Sequence, residues 1–477
     1  SVEGRRRVAT EGHPYSCLLK ISFVGEVLML LTEKEARAIC EKLLSYVKAD
    51  DAVVGVGSEN YGHLRFASNA FTTSGARENV SVSVTVWIDK KRGAASTNEI
   101  DDASLKATVA LAEQLARISP VDREYMPTLS KQTYKPVNGY AAATSNISVT
   151  ARAKTINDVI TACEKAKVIG AGFHQARGSA GASATKNGNF IYEQSSLVSL
   201  ATTARTPDGT SSGYFLRNHF DVAKLDTARI ANEAIRKALD ARNPRVLEPG
   251  VYPVILEAQA VADLLGFLAF SFDARSAEEG RSPFSAPGGK TKVGEKIFDE
   301  RINIYSDPWH PELPGSQSAQ AGLPAEKIVL VRNGVLENLF YSRFWAKQKG
   351  KEPTPGPVNS IIESSQPPVS VDDMIKSMDR GLLLGRFWYI RGVDPRTALQ
   401  TGLTRDGIWY IENGKIQYPV KNFRFNQSSM QLLAPGNVEM IGKPERVGSS
   451  EGQGGSAALL PALKVKEFNF TSQSEAV

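Results

Sequence analysis

Histidine and cysteine are scarce in this chain, five and three among 477 residues. These are the side chains from which tight metal centres are mostly built, and their spacing here offers none ready-made. No two of His13, His63, His174, His219 and His310 share a helical turn, so a metal site would have to be assembled from distant segments. Cys17, Cys40 and Cys163 are as dispersed. Two of them fall on predicted helix faces, where a reduced thiol packs as a small hydrophobe, which fits a reducing cytoplasm. Long apolar runs are missing too: none approaches the roughly 18 residues a membrane helix needs, and a soluble chain is expected. Charge clustering is equally absent. The net charge of +6 is thinly spread, with Lys and Arg interleaved among Asp and Glu, which argues against a nucleic-acid footprint. The one dense run, Arg5-Arg6-Arg7, sits in residues 1–28, which have no clear period and precede a natural-looking start at Met29; a non-native or disordered extension is expected there. A signal peptide does not fit, because Lys20 and Glu26 interrupt the apolar stretch and no small-residue cleavage site follows. Pro287-Gly288-Gly289-Lys290 lacks P-loop spacing and a preceding strand, so nucleotide chemistry is not expected.

What is present belongs to a globular protein: 42% hydrophobic and 23% charged residues, in a length that points to two or three domains. Thr32 and Glu35 form a capping box before Ala36, Ile39, Cys40, Leu43, Leu44 and Val47, predicting a helix over 32–48. Short strands are expected at 52–57 and 63–68. In a longer one, Val80, Val82, Val84, Val86 and Ile88 alternate with mostly polar residues, leaving one wet face. A helix over 102–117 opens after Asp101 and turns Leu105, Val109, Ala112 and Leu115 inward. Residues 119–154 hold Pro120, Pro127 and Pro136 with weak periodicity and read as a surface connector. Thr155 with Asp158 predicts another capped helix, Asn187-Gly188 a hairpin with a type I′ turn, and Asp226 the start of a helix to 241 that buries Ile230, Ala234, Ile235 and Leu239.

Residues 243–250, with Pro244, Pro249 and Gly250, mark the boundary between an N-terminal domain, 29–243, and a C-terminal one, 244–477. Beyond it come a very apolar helix over 257–272, a Gly/Pro-rich span over 280–326, and hairpins at Asn333-Gly334 and Asn413-Gly414. Ser370 and Asp373 cap a helix carrying Ile375, Met378 and Leu382, and the Gly/Ser-rich 448–456 reads as a mobile loop. The fold class is therefore α+β: helices on a mainly antiparallel sheet, then a β-rich domain with a few helices.

Eight segments carry more specific wording: 86–98 (VWIDKKRGAASTN), 254–266 (VILEAQAVADLLG), 279–282 (EGRS), 293–297 (VGEKI), 322–324 (GLP), 402–407 (GLTRDG), 411–416 (IENGKI) and 460–470 (LPALKVKEFNF). In this order they resemble the TldD/PmbA family, the metalloprotease TldD/E proteins also called modulators of DNA gyrase. Active TldD-like members carry a His-Glu-x-x-x-His helix at the start of the C-terminal domain and a later cysteine, which together hold zinc. Histidines a little over one turn apart can converge on one ion, and the carboxylate beside them can serve as general base on metal-bound water. Here Ala258 and Asp263 stand where those histidines would, Gln259 stands where the glutamate would, and no cysteine follows Cys163. An amide cannot take the proton.

The resemblance thus implies a PmbA/TldE-like member with no catalytic residue, no metal and no other cofactor of its own, inactive alone although its family is one of metallopeptidases. It implies a cytoplasmic assembly, a heterodimer or higher, with a zinc-bearing TldD-like subunit, acting on peptides or unfolded segments. The alternative is a homodimeric peptide-binding or scaffold protein without a peptidase partner. A regulator of DNA gyrase is a weaker alternative that the unclustered charge does not support. Neither membrane nor nucleic acid is expected as a partner.

The other candidates read as structural. Ser179, within Gly178-Ser179-Ala180-Gly181, lacks the companions of a serine hydrolase and suits a tight turn or strand entry. Adjacent Glu278 and Glu279 point apart on a helix and read as a solvated end. Arg405 and Asp406 read as an ion pair shaping a hairpin turn, with peptide contact as the rarer role, and His310 beside Trp309 as a surface or interface residue. The helix over 257–272 is expected to persist as scaffold, with Val261, Leu264, Leu265 and Leu268 inward.

Overall fold

The computed structural model describes residues 30–448 and 457–474; the expectations for residues 1–28 and for the loop at 449–456 lie outside the described residues. The first half runs α1 (Glu33–Tyr46), β1 (Asp51–Ala67), β2 (Ala70–Ile88), β3 (Lys91–Thr97), α2 (Asp102–Ile118), a short α3 (Ala142–Ser145), α4 (Val149–Lys165), β4 (Ile169–Thr185), β5 (Phe190–Arg205), β6 (Ser212–His219) and α5 (Thr227–Asp240). The capping box on α1 forms: Thr32 accepts from the Glu35 N–H at 3.3 Å while the Glu35 carboxylate takes the Thr32 N–H at 2.8 Å.

The strands make one six-stranded antiparallel sheet in the order β3-β2-β1-β4-β5-β6. Val54 lies opposite both Val84 and Ala184, and even-numbered residues along β1 and β4 turn to one face, where α1, α2, α4 and α5 pack. The strands expected at 52–57 and 63–68 are a single 17-residue strand. Nothing in 58–62 breaks the chain, and β2 and β4 pair along both sides, so the ladder carries even Glu59 and Asn60. Helix α4 starts at Val149, not at 155, because Ser148 is the cap, accepting from the Ala151 N–H at 3.1 Å; Thr155 lies inside the helix. At the β4–β5 hairpin only Gly188 enters the left-handed region (φ 84), and its N–H donates to the Thr185 carbonyl at 3.0 Å. That is a type I turn closing on a glycine bulge, where type I′ was expected.

The second half contains β7 (Gly250–Leu256), α6 (Ala258–Leu265), α7 (Ala274–Glu278), β8 (Ser285–Ala286), β9 (Lys290–Thr291), β10 (Ile302–Ser306), β11 (Ile328–Arg332), β12 (Val335–Leu336), α8 (Arg343–Lys349), β13 (Ile361–Ser364) and α9 (Val371–Lys376). There follow β14 (Arg380–Asp394), β15 (Leu399–Glu412), β16 (Lys415–Pro419), β17 (Phe423–Ser428), α10 (Ser429–Leu432), β18 (Val438–Ile441), β19 (Glu445–Gly448), β20 (Ala457–Leu460) and β21 (Leu463–Gln473). Asn333-Gly334 and Asn413-Gly414 close their hairpins with both residues left-handed, φ 49 and 78, then 51 and 71. Leu382, expected on the helix after Ser370, belongs instead to β14, since α9 ends at Lys376.

One sheet of this half orders β14-β7-β21-β17-β15-β16, and β14 also pairs with β15, so it closes on itself. Its interior is aromatic, with Phe387 stacked on Phe468 (5.4 Å) and Phe423 against Phe470 (4.9 Å). The other sheet, β12-β11-β10-β13-β20-β19, shares its core with α6. That helix is shorter than expected. It stops at Gly266, a poor helix former, and the chain continues as a 3-10 turn that buries Leu268 and Phe272 while leaving Phe270 81% exposed. Val261, Leu264, Leu265 and Leu268 do face inward.

His174 is buried in the first core beside Arg152, and burial foremost, then the Arg152 charge, pushes it down to about 4. A depressed imidazole means that the unfolded chain takes up the proton first. Stability is complete above about pH 6.5 and drains as pH falls from there toward 4, by about 3 kcal/mol. His174→Gln is expected to flatten part of that slope in urea melts between pH 7 and 4. An unchanged slope would remove the assignment. His63 and His219 are shifted the same way by burial, so some slope persists.

Candidate functional site

The N-terminus of α6 lies on the seam between the two halves. Glu257 ends β7's run and stands at the N-cap, yet its side chain does not cap the helix. Its carboxylate turns away to the Lys237 ammonium from α5, an ion pair in which Lys237 is 2% exposed. Ala258 is packed in the core. Gln259, one residue on, is 5% exposed; its Nε2 donates to Asp263 Oδ1 and to the Gly448 carbonyl, both at 2.9 Å. The other Asp263 oxygen accepts from the Phe387 N–H at 3.1 Å.

One step deeper, Arg386 of β14 and Asp406 of β15 form a buried ion pair at 2.6 Å, with Ser212 of β6 donating to Asp406 at 2.5 Å. The Arg386 guanidinium lies 3.8 Å from the Tyr214 ring centre and 5.0 Å from that of Trp388. Burial raises the Tyr214 hydroxyl above its ordinary range, Arg386 opposing and Asp263 and Asp406 adding to it, so the phenol stays neutral. Asp406 has φ 55 and Gly407 φ 126, and a Cβ on Gly407 would sit 2.1 Å from the Trp409 ring. This local distortion, next to a register shift in β14–β15, turns the carboxylate toward β6. The motif expected to be a hairpin turn is therefore a bulge within a strand, and Asp406, at 4% exposure, is bound to Arg386, leaving Arg405 as a half-buried neighbour 3.9 Å away.

The residues at the helix do not fit zinc: a methyl, an amide, and one carboxylate whose two oxygens already accept hydrogen bonds. Among the described residues no three His, Cys, Asp or Glu side chains gather in a way that could hold a metal ion. What the set can do is hold charge still. Gln259 lines a charged cleft of about 520 Å³ on one side of α6, while its partners Asp263 and Gly448 line an apolar one of about 410 Å³ on the other.

The remaining candidates lie elsewhere. Ser179 is in mid-strand in β4, 3.0 Å from Ser195, neither turn nor strand entry. Glu278 is not solvated: its side chain is 7% exposed and takes hydrogen bonds from Tyr341 at 2.7 Å and Trp345 at 2.9 Å, with Lys349 at 3.1 Å. His310 turns its Nδ1 to the Glu312 N–H in a half-exposed loop. Lys237, Arg386, Ser212 and Tyr214 were not anticipated. A lysine on the apolar face of a helix and a lone arginine inside the run 382–390 were the available signals, since burying a charge demands a partner.

Residues 249–472 match the PmbA/TldA metallopeptidase C-terminal domain, and residues 52–116 match PmbA/TldA metallopeptidase domain 1. An uncharacterized protein of Methanocaldococcus jannaschii is 28% identical over 283 residues, 54% of this chain and 62% of that protein. The metalloprotease TldD homolog of Buchnera aphidicola is 24% identical over 248 residues, 49% of each chain. The chain thus spans about half to 62% of the length of these relatives. The structure of TldE from Thermococcus kodakarensis superposes with a TM-score of 0.80 at 18% identity, covering 91% of this chain and 99% of that one, and so shares its fold. With both domain matches, the relatives and the shared fold, the chain belongs to the TldD/PmbA family of metallopeptidases.

Proposed function

We propose that this chain is the non-catalytic, metal-free subunit of a TldD/E-type peptidase, paired with a TldD-like chain that supplies the zinc. Its part is to enclose the partner's site and to hold an extended peptide. The observation that carries this reading is Gln259: the position of the family's general base is an amide, locked by two hydrogen bonds to Asp263 and Gly448. A side chain committed in this way neither binds a metal nor moves a proton. A peptide can add as a strand where a sheet ends, and β19, which carries Gly448, ends the six-stranded sheet beside α6.

The chain purified alone is expected to carry far less than one zinc per chain, by elemental analysis, and to leave an unstructured peptide intact. Stoichiometric zinc together with turnover would overturn the reading. Co-expression with a TldD-like chain is expected to yield a stable complex in which hydrolysis appears.

A further inference from the structure

The charged cleft beside α6 holds cations and carboxylates in equal number, but it does not pair them one to one. It is lined by Arg217, Arg229, Arg236 and Lys443 against Glu233, Glu257, Glu445 and Asp372. Glu257 is neutralised from behind by Lys237, and Glu233 pairs with Arg236 at 2.7 Å. Glu445 alone serves two guanidiniums, Arg217 at 2.5 Å and Arg229 at 3.4 Å. Arg217 is held rigidly over the Phe215 ring at 4.1 Å and lies below the usual arginine range because it is buried, with Glu445 opposing that. Arg217 gives Nη1 to the Leu216 carbonyl at 2.8 Å and Nη2 to Glu445, while Arg229 reaches Glu445 only at 3.4 Å, so the pair of guanidiniums keeps N–H groups for a second anion.

A second feature of the same cleft points the same way. Because Glu257 is turned to Lys237, its side chain does not cap α6, and the first turn, Glu257, Ala258 and Gln259, forms one wall of the cleft. Uncapped N–H groups at the positive end of the helix dipole favour an anion. Gln259 borders the same cleft: its Nε2 is fixed by the Asp263 carboxylate and the Gly448 carbonyl, and its buried Oε1 has no donor among the described residues. A carboxylate at this end of the helix would meet its N–H groups.

We propose that this cleft binds a peptide carboxylate, either the C-terminal one or that of an Asp or Glu side chain, with Arg217 and Arg229 donating to it. The assignment of a peptide rests on the function proposed above. The carboxylate rests on the cleft. The test uses the full chain and three labelled unstructured peptides in fluorescence anisotropy: one with a free C-terminus and no acidic side chain, its C-terminal amide, and that amide with one internal Asp. At least one carboxylate-bearing peptide is expected to bind about tenfold more tightly than the carboxylate-free amide. Which of the two does so tells the C-terminus from the side chain. Arg229→Gln, at a side chain 53% exposed and therefore tolerant of change, is expected to abolish the difference with the thermal midpoint unaltered. Equal binding of all three peptides, no binding of any, or a difference that survives Arg229→Gln would overturn the proposal. Carboxylate-blind peptide binding defeats this inference and leaves the subunit reading intact, whereas zinc with turnover in the isolated chain defeats only the latter.

Discussion

Replacing Arg386 by methionine is expected to destabilise the second half of the chain by about 3–5 kcal/mol, read as a lower urea midpoint with the slope retained. Methionine keeps most of the volume between Tyr214 and Trp388 but leaves Asp406, only 3% exposed at its side chain, without its close cation, Arg405 remaining only at 3.9 Å. Ser212 donates to one of its oxygens and cannot neutralise it. The double variant Arg386→Met with Asp406→Leu is expected to recover most of the loss, since removing both charges also removes the desolvation cost. If the double variant is no more stable than the single one, the pair is not the source of the effect. The function proposed above predicts that the isolated double variant still carries no zinc, because neither residue is a ligand.

Gly213→Ala is expected to cost about 3 kcal/mol although it adds a single methyl. The new Cβ would sit 2.2 Å from the Ala234 carbonyl oxygen and 2.4 Å from the Ala238 nitrogen, both backbone atoms of α5, so the helix has to retreat from β6. Lys237 retreats with it, its own Cβ being 2.7 Å away, and the buried pair with Glu257 opens. Trp409 reports the shift, because its indole N–H donates to the Asp240 carbonyl at the end of α5 at 3.2 Å. A lower thermal midpoint and an altered emission, the latter lost in a Trp409→Phe background, are the expected readings. Gly392→Ala, where the methyl meets nothing within 4 Å and φ is not left-handed, is the neutral control. Equal midpoints for the two variants would show that α5 yields without cost.

Local signals were legible wherever a few neighbouring residues decide the conformation. The Thr32–Glu35 box, the Asp101 and Asp226 caps and both Asn-Gly hairpins of the second half are in place because a cap or a left-handed pair is satisfied within four residues. Local signals misled where a partner far along the chain carried the cost. The polar run 58–62 looked like a gap and is strand, because β2 and β4 flank it. Glu278 looked solvated and is enclosed by Tyr341 and Trp345, which lie far along the chain.

By itself the sequence determined the fold class, the order of the main helices, the family likeness, and which residue types stand at 258, 259 and 263. These depend on side-chain chemistry and short-range periodicity, which are written in order along the chain. Only the tertiary structure decided what those residues touch. Gln259 bonds to Gly448, Arg386 to Asp406, Lys237 to Glu257, and Arg217 with Arg229 to Glu445, across separations that no local pattern records. Buried charges and amides must find partners somewhere, but which partner is set by the packing of α5 and β6 against the closed sheet of the second half.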